Sequence, residues 1–526
     1  MSFLKKNYFL IIILILLAYS ISTFNLIEVG IMEARNFQTA KEMVEDNNWL
    51  LPTLNGEPRY QKPPLPTWLT AFSVLLFNSK SIIFYRIPAI LFLFVIGITS
   101  YFFSLKIKFN KQESTINGLI TLSSIYIIVI IFEAPWDIFA HSFMFLAIYY
   151  LFSSLENKFT LKKNILIGLL IGLSIMSKGP IPIYVLLIPF LLSYLLVYKK
   201  INVSISDLIQ ILFVSIISGG LWYIYVYTQD HQTLLGTTSQ ETKNWFNYNL
   251  RPFYYYWDFF INSGIWLIPA ITSLILPFIN NKISINKNHL LTCYWVIISV
   301  ILLSLIPEKK TRYIVPVLIP LALNTGFYIN YIIKYSKQKS ISSIWPIYLN
   351  FILISIASII IPVIYTYNYG FSFFSTITII IALSFIYNFY KREFDKVIYL
   401  KIILFFTMIN FILPQMYSNT NTNYTSTDKL HHDIKELKLY SDYNITPDLI
   451  WNLNKKVRKL ELSKINDSIF VLISNENFDA TNVNIIENKL IIKKKIELDF
   501  NTTTEESDRY RYSYRLMTNL YILSKK

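Results

Sequence analysis

An α-helical polytopic membrane protein with a small C-terminal α/β soluble domain is the fold class this chain predicts, on three observations. Of its 526 residues, 54% are hydrophobic and only 15% charged, with a mean hydropathy of +0.43. A soluble domain carries about 25% charged residues. Apolar runs recur between short charged segments along most of the chain, and from about residue 417 the composition turns polar.

The apolar runs lie at 8–25, 82–105, 115–132, 138–155, 164–177, 180–198, 205–228, 256–279, 288–306, 313–334, 342–366, 371–390 and 397–415. Thirteen crossings of ~20 residues would use about 260 residues, which the hydrophobic fraction allows. Residues 65–77 are apolar but too short to span, and read as a helix lying at the interface. Lys5 and Lys6 ahead of the first run resemble the start of a secretory leader, but an anchored first crossing is expected. The single cysteine, Cys293, sits inside an apolar run and excludes disulfides and cysteine-based metal sites.

Orientation follows the Lys and Arg residues. With a cytoplasmic N-terminus, alternate loops carry Lys106, Lys108 and Lys111; Lys158, Lys162 and Lys163; Lys199 and Lys200; Lys282 and Lys287; Lys334, Lys337 and Lys339; and Lys391, Arg392 and Lys396. These loops account for much of the net charge of +16, so nucleic acid is not an expected partner. The opposite loops are mostly neutral or acidic, except residues 28–62, Lys178-Gly179-Pro180 and the stretch from Glu308 to Arg312. Cations on that side, at membrane depth, call for a function, and they would converge on an anion at the external face. The expected domains are a transmembrane part, 1–416, with a first external loop at 26–81, and an external α/β domain, 417–526. In the latter, 428–440 has a helical apolar pattern, while 468–474 and 482–498 read as strands.

The segment from Met32 to Met43 puts Phe37, Ala40, Met43 and Val44 on one helical face, so it can lie flat on the membrane. Glu33 and Arg35 then stand at the helix start, just outside the first crossing. An acid there is favoured by the helix dipole alone; the alternative is an acid and a cation held beside a lipid-facing cleft.

The patterns Glu33-x-Arg35-x-x-x-x-Ala40-x-Glu42-Met43, Trp49-x-x-Pro52-x-Leu54-Asn55-Gly56 and Lys62-Pro63-Pro64-Leu65-x-x-Trp68 resemble the first external loop of the polyprenyl-phosphate-sugar glycosyltransferases of the GT-C class. Aminoarabinose lipid A transferases and dolichyl-phosphate-mannose protein mannosyltransferases are members that the pattern resembles. The resemblance continues through Gly172 to Pro180, Arg251-Pro252-Phe253, and Lys310-Thr311-Arg312-Tyr313 with Pro316, and it covers the membrane part. It implies the GT-C fold, of thirteen crossings and an external C-terminal domain, and a sugar donor carried on a polyprenyl phosphate.

When the glycosyl bond breaks, negative charge grows on the donor phosphate, and cations must meet it. Arg35 and Lys62 match the family's phosphate-binding positions, Lys310 and Arg312 enter from the loop between crossings nine and ten, and Lys178 matches a Lys-Gly-Pro motif. The family commonly has Asp-Glu-x-Arg where this chain has Met32-Glu33-Ala34-Arg35, so Glu33 is the nearest substitute for the missing Asp. A second acidic position of the family matches Asp137. A hydroxyl acceptor needs one carboxylate as general base, for which Glu33 is favoured over Asp137; a phosphate acceptor needs none, and the carboxylates would orient a sugar or an amine. The aromatic run from Phe253 to Trp257 fits an interfacial belt or a sugar-stacking surface. His231, in the same external loop, reads as a surface residue; His431 and His432 lack carboxylate or cysteine partners at metal-ligand spacing, and no cofactor is established; a divalent ion would need several oxygen ligands that the sequence does not assemble.

The expected function is a glycosyltransferase of the bacterial inner membrane, inverting if displacement is direct. It would move a sugar from an undecaprenyl-phosphate donor to an external acceptor such as lipid A or another envelope glycan. A protein Ser or Thr is the rival acceptor, and a lipid-linked sugar flippase the rival from another class. A flippase should carry polar positions through the membrane, whereas the unusual charges here cluster outside.

Overall fold

The computed structural model describes residues 8–24, 27–79, 81–279, 286–335 and 345–416, and, beyond them, 421, 423–425, 430, 434, 436–461, 465, 467–476, 490–501 and 515–525. Its helices are α1 (Tyr8–Phe24), α2 (Ile31–Glu45), α3 (Leu65–Phe77), α4 (Ile82–Lys106), α5 (Lys111–Leu122), α6 (Ile125–Glu133), α7 (Pro135–Glu156), α8 (Leu161–Lys178), α9 (Ile188–Tyr198), α10 (Ile205–Asn247), α11 (Leu267–Ile279), α12 (Lys287–Leu305), α13 (Val315–Tyr335), α14 (Trp345–Tyr369), α15 (Phe373–Tyr390), α16 (Phe394–Met416) and α17 (Pro447–Leu453). The strands are β1 (Thr53–Leu54), β2 (Glu57–Pro58), β3 (Leu439–Ser441), β4 (Val457–Lys459), β5 (Ile469–Ser474), β6 (Leu490–Asp499) and β7 (Met517–Lys525).

Among the described residues the thirteen apolar runs fall largely on helix, the run at 256–279 forming 3-10 turns that lead into α11 and the run at 180–198 a π-helical turn that leads into α9. Among the described residues eight helices are long and apolar enough to cross a bilayer, or nine if α5 and α6, bent by 44° at their junction, form one span. The other runs form helices that are shorter or more charged, so length and apolarity alone do not reach thirteen. Residues 65–77 form the expected short helix.

The chain packs as two compact units that do not follow the linear boundary at 416/417. The first comprises residues 1–25, 60–69 and 79–413; the second comprises 26–59, 70–78 and 414–526. In the first unit, side chains such as Leu212, Ile216, Ile360, Ile364, Ile380 and Leu383 are apolar and exposed, a surface that suits lipid rather than water.

In the second unit a five-stranded mixed sheet runs β4-β3-β5-β7-β6, with β3 parallel to both neighbours and β7 antiparallel to β5 and β6. Alternate residues feed two cores. Leu439, Val471, Ile473 and Leu520 pack with Leu449 and Leu453 of α17 on one face; Tyr440, Phe470, Leu472 and Tyr521 pack on the other. The strand expected at 468–474 is β5, and β6 covers the described part of the 482–498 expectation, residues 482–489 lying outside the described residues. The helical reading of 428–440 fails at its end, where Leu439 and Tyr440 enter the interior strand β3 because both sheet faces bury apolar side chains there; most of its remainder, with His431 and His432, lies outside the described residues.

The early loop joins the same unit through α2 and the β1-β2 hairpin. Asn55 and Gly56 both take positive φ, 59° and 81°, as a two-residue turn of the primed type requires. The buried Glu42 carboxylate fixes that turn, accepting from the Asn55 amide at 2.7 Å, the Gly56 amide at 3.0 Å, Thr53 Oγ1 at 2.7 Å and Gln38 Nε2 at 3.0 Å. Lys41 Nζ donates at 2.9 Å to the carbonyl of Asn454, whose left-handed conformation ends α17. Phe37 packs on Trp451, with ring centroids 5.5 Å apart.

Candidate active site

Asp137 stands in the first turn of α7, where Pro135 suits the first helical position and the dipole favours a carboxylate. Helix α8 ends at Lys178 because Gly179 takes a φ of 85°, open to glycine without strain. A Cβ at Gly172 would lie 1.8 Å from Ser218 Oγ, so glycine is what lets α8 approach α10 so closely. These two helix ends bring Lys178 Nζ to 2.6 Å from Asp137 Oδ2, both side chains being buried. Lys178 also stands 4.8 Å from the centre of the Tyr313 ring. The second Asp137 oxygen, Oδ1, is buried with no hydrogen-bond partner among the described residues.

Lys62 is held along α10. Its Nζ lies 3.6 Å from Glu241 Oε2, and Tyr60 Oη donates at 3.1 Å to Asp230 Oδ2, where the helix breaks. Burial pushes the Lys62 ammonium below the ordinary lysine value. Glu241 and Asp137 act against that, whereas Arg312 and Lys310 add to it. Burial, with Asp230 adding to it, pushes the Tyr60 hydroxyl up to about 12.

The loop from Glu308 to Arg312 is pinned by the aromatic segment before α11. Asn249 Nδ2 donates to the Lys309 carbonyl at 2.6 Å, the Lys309 amide donates to the Asn249 carbonyl at 3.2 Å, and the Lys310 amide donates to Tyr256 Oη at 3.0 Å. Tyr256 is therefore a buried strut, while Phe253, Tyr254 and Trp257 are exposed. Lys310 pairs with the buried Glu308, to which Tyr313 Oη also donates at 3.3 Å. Arg312 lies 5.9 Å from the Tyr313 ring centre.

Three cations are thus each compensated by a carboxylate: Lys178 by Asp137, Lys62 by Glu241 and Lys310 by Glu308. Among the described residues Arg312 has no carboxylate at ion-pair distance, so its charge has no direct counter-ion there; Glu133, which accepts from Tyr126 Oη, stands in the same neighbourhood. Beside it lies a cavity of about 360 Å³ whose walls include Pro180, Ile181, Val185, Phe246, Leu303 and Ile306, with His141, Lys178, Glu308 and Tyr313 as its polar members. The arrangement suits an amphiphile with an anionic head. No three His, Cys, Asp or Glu side chains cluster for a metal ion among the described residues.

The structure therefore brings together Asp137, Lys62, Lys178, Lys310 and Arg312. Glu33 and Arg35 belong to the other unit, Glu33 buried in the first turn of α2 and Arg35 Nη1 3.6 Å from the sulfur of Met32. There burial, with Arg35 beside it, pushes the Arg59 guanidinium down to about 10. Sequence reasoning gave no site role to Glu241, Glu308, Tyr313 and His141. Glu308 and Tyr313 lay within segments already singled out, and His141 stands one helical turn beyond Asp137, whereas Glu241 carried no local signal.

The architecture matches the crystal structure of ArnT from Cupriavidus metallidurans bound to undecaprenyl phosphate, with a TM-score of 0.72, 12% identity and 98% of each chain covered. The chain shares the GT-C fold of that structure. The family model for dolichyl-phosphate-mannose-protein mannosyltransferase matches residues 61–223, the stretch that holds Lys62, Asp137 and Lys178. An undecaprenyl phosphate-α-4-amino-4-deoxy-L-arabinose arabinosyl transferase of Wigglesworthia glossinidia brevipalpis is 25% identical over 315 residues, 55% of this chain and 53% of that one. Its counterpart in Photorhabdus laumondii is 20% identical over 307 residues, again 55% and 53% of the two chains. The chain spans about half the length of these curated relatives in the matched regions. It is a multi-pass membrane protein with the GT-C fold and has aminoarabinose transferase-like relatives.

Proposed function

We propose that this protein is a glycosyltransferase of the bacterial inner membrane that moves one sugar from an undecaprenyl-phosphate donor to an external acceptor, lipid A or another envelope glycan. The observation that carries this reading is the cluster of Lys62, Lys178, Lys310 and Arg312 beside an apolar cavity: a prenyl chain suits the walls and a phosphate suits the cations. Two relatives are named for a reaction of this kind.

With a hydroxyl acceptor, Asp137 Oδ1 takes the proton as the acceptor oxygen bonds to the anomeric carbon. The bond from that carbon to the phosphate oxygen breaks, and its electron pair stays on the phosphate. Protonation of Asp137 removes the counter-charge of Lys178, freeing that ammonium for the phosphate as its charge grows. Displacement from the opposite face inverts the anomeric centre. With a phosphate acceptor no base is needed, and Asp137 instead orients the sugar. The cations meet the phosphate charge in this scheme, and dependence on a divalent ion is a matter for the chelator arm of the assay.

The family match over 61–223 favours a second acceptor, a protein hydroxyl. The test is incubation of the purified protein with polyprenyl-phosphate sugars and with lipid A, a glycan or a Ser/Thr peptide, the product being identified by mass, with and without chelator. Transfer to one acceptor supports the reading and names the acceptor; no transfer from any donor, together with no binding of undecaprenyl phosphate, overturns it.

A further inference from the structure

His141 is fully buried, lines the cavity beside Lys178, and has no hydrogen-bond partner for either ring nitrogen among the described residues. It lies four residues beyond Asp137 on α7, so the two side chains share a helix face about 6 Å apart along the axis. Asp137 Oδ1 is likewise buried and unpartnered, its other oxygen being held by Lys178. Buried polar groups are satisfied in nearly all cases, and orphans beside a cavity are what a ligand's polar groups complete.

We propose that Asp137 and His141 form a hydroxyl-binding pair at the edge of this cavity. Resting on the donor reading above, this assigns to α7 the recognition of a hydroxyl-bearing sugar or acceptor and leaves the phosphate to the lysines and arginine. The chemistry selects the hydroxyl. Asp137 Oδ1 can only accept, and a neutral imidazole offers one donor and one acceptor. A hydroxyl that donates to the carboxylate and accepts from the ring N–H partners two of the three orphan atoms, and a second hydroxyl that donates to the other ring nitrogen completes the set. An ionised phosphate has no hydrogen for Asp137 and would set like charges together.

The hydroxyl can come from the donor's sugar or from the acceptor, and one experiment separates the sources. Full-length protein in detergent is compared with His141→Phe, which fills the space without a hydrogen bond, and His141→Gln, which restores a donor. Measured are thermal stability, affinity for undecaprenyl phosphate, affinity for its 4-amino-4-deoxy-L-arabinose conjugate, and acceptor KM. The expected result in His141→Phe is unchanged affinity for the bare lipid phosphate. Alongside it comes a roughly tenfold loss for one hydroxyl-bearing partner, as a lost hydrogen bond to a charged or buried site implies, partly recovered in His141→Gln. Loss confined to the conjugate assigns the hydroxyl to the sugar; loss confined to acceptor KM assigns it to the acceptor. Equal weakening of the bare lipid and its conjugate, or no change in any affinity, overturns the pair. Failure of the wild type to bind undecaprenyl phosphate at all overturns the donor reading itself, without reference to His141, and this proposal falls with it.

Discussion

Glu42 and Asp137 are both fully buried carboxylates on helices, one in each compact unit, yet their surroundings differ in kind. Glu42 accepts four hydrogen bonds, three of them from the hairpin that it closes. Among the described residues Asp137 has one oxygen on Lys178 and the other unpartnered, one helical turn from a histidine with neither ring nitrogen partnered. A satisfied carboxylate holds structure together, whereas a half-satisfied one keeps the capacity to meet a ligand or take a proton. The lesson is that burial alone does not mark function; unmet hydrogen-bonding capacity does.

The sharpest break of that contrast is Asp137→Asn, which keeps shape and removes the base. With a hydroxyl acceptor, turnover should fall by ~10²–10⁴-fold while the protein stays folded and inserted. Glu33→Gln should then retain most of the rate, and a dead Glu33→Gln beside an active Asp137→Asn would move the base to the other unit. Rates at matched expression decide it.

Glu42→Ala should act on stability instead. It strands the two turn amides and Thr53 Oγ1, at a cost of about 3 kcal/mol if little water enters, and should lower the unfolding temperature measured in detergent. An unchanged melting curve would mean that the hairpin is held by something other than this carboxylate.

Lys62→Ala should weaken donor binding roughly ten- to hundredfold, through loss of a charge-assisted contact of about 1.5–3 kcal/mol. Because burial holds the Lys62 ammonium below the ordinary lysine value, its charge is present at lower pH and is lost sooner than a free lysine's as pH rises. Donor affinity should therefore fall on the alkaline side, and Lys62→Arg should move that fall to higher pH. Identical alkaline limbs in the two proteins would detach the profile from Lys62.

The smallest effect belongs to the ion pair of Lys456 with Asp46, both partly exposed. Asp46→Asn should change stability by less than about 1 kcal/mol, and a larger loss by chemical denaturation would show that the pair is buried in solution.

Much of the fold was legible in the sequence because its signals are local. A bilayer demands long apolar helices, so the runs between charged loops located the apolar helices between Tyr8 and Met416, of which eight or nine are long and apolar enough to cross among the described residues. Asn55-Gly56 between short polar segments announces its turn, since both residues tolerate positive φ. The strand at Ile469–Ser474 showed as an apolar run with β-branched residues. The helical reading that ran on to Tyr440 failed because a short buried run has no period that tells helix from strand. Lys62, Lys178, Lys310, Arg312 and Asp137 could be picked from the motifs.

Which carboxylate each cation meets was not legible. Glu241 reaches Lys62 only because α10 continues past its break at Asp230, and Glu308 faces inward only because Asn249 and Tyr256 pin its loop. The orphan state of Asp137 Oδ1 and His141 likewise depends on what every neighbouring segment fails to offer. Sequence by itself determined where the helices lie and which residues carry charge, because hydrophobic periodicity and turn chemistry are written within a few residues of each other. Tertiary structure alone decided which charges are neutralised and which hydrogen bonds stay open, because satisfaction is settled by groups far apart in the chain and close only once it has folded.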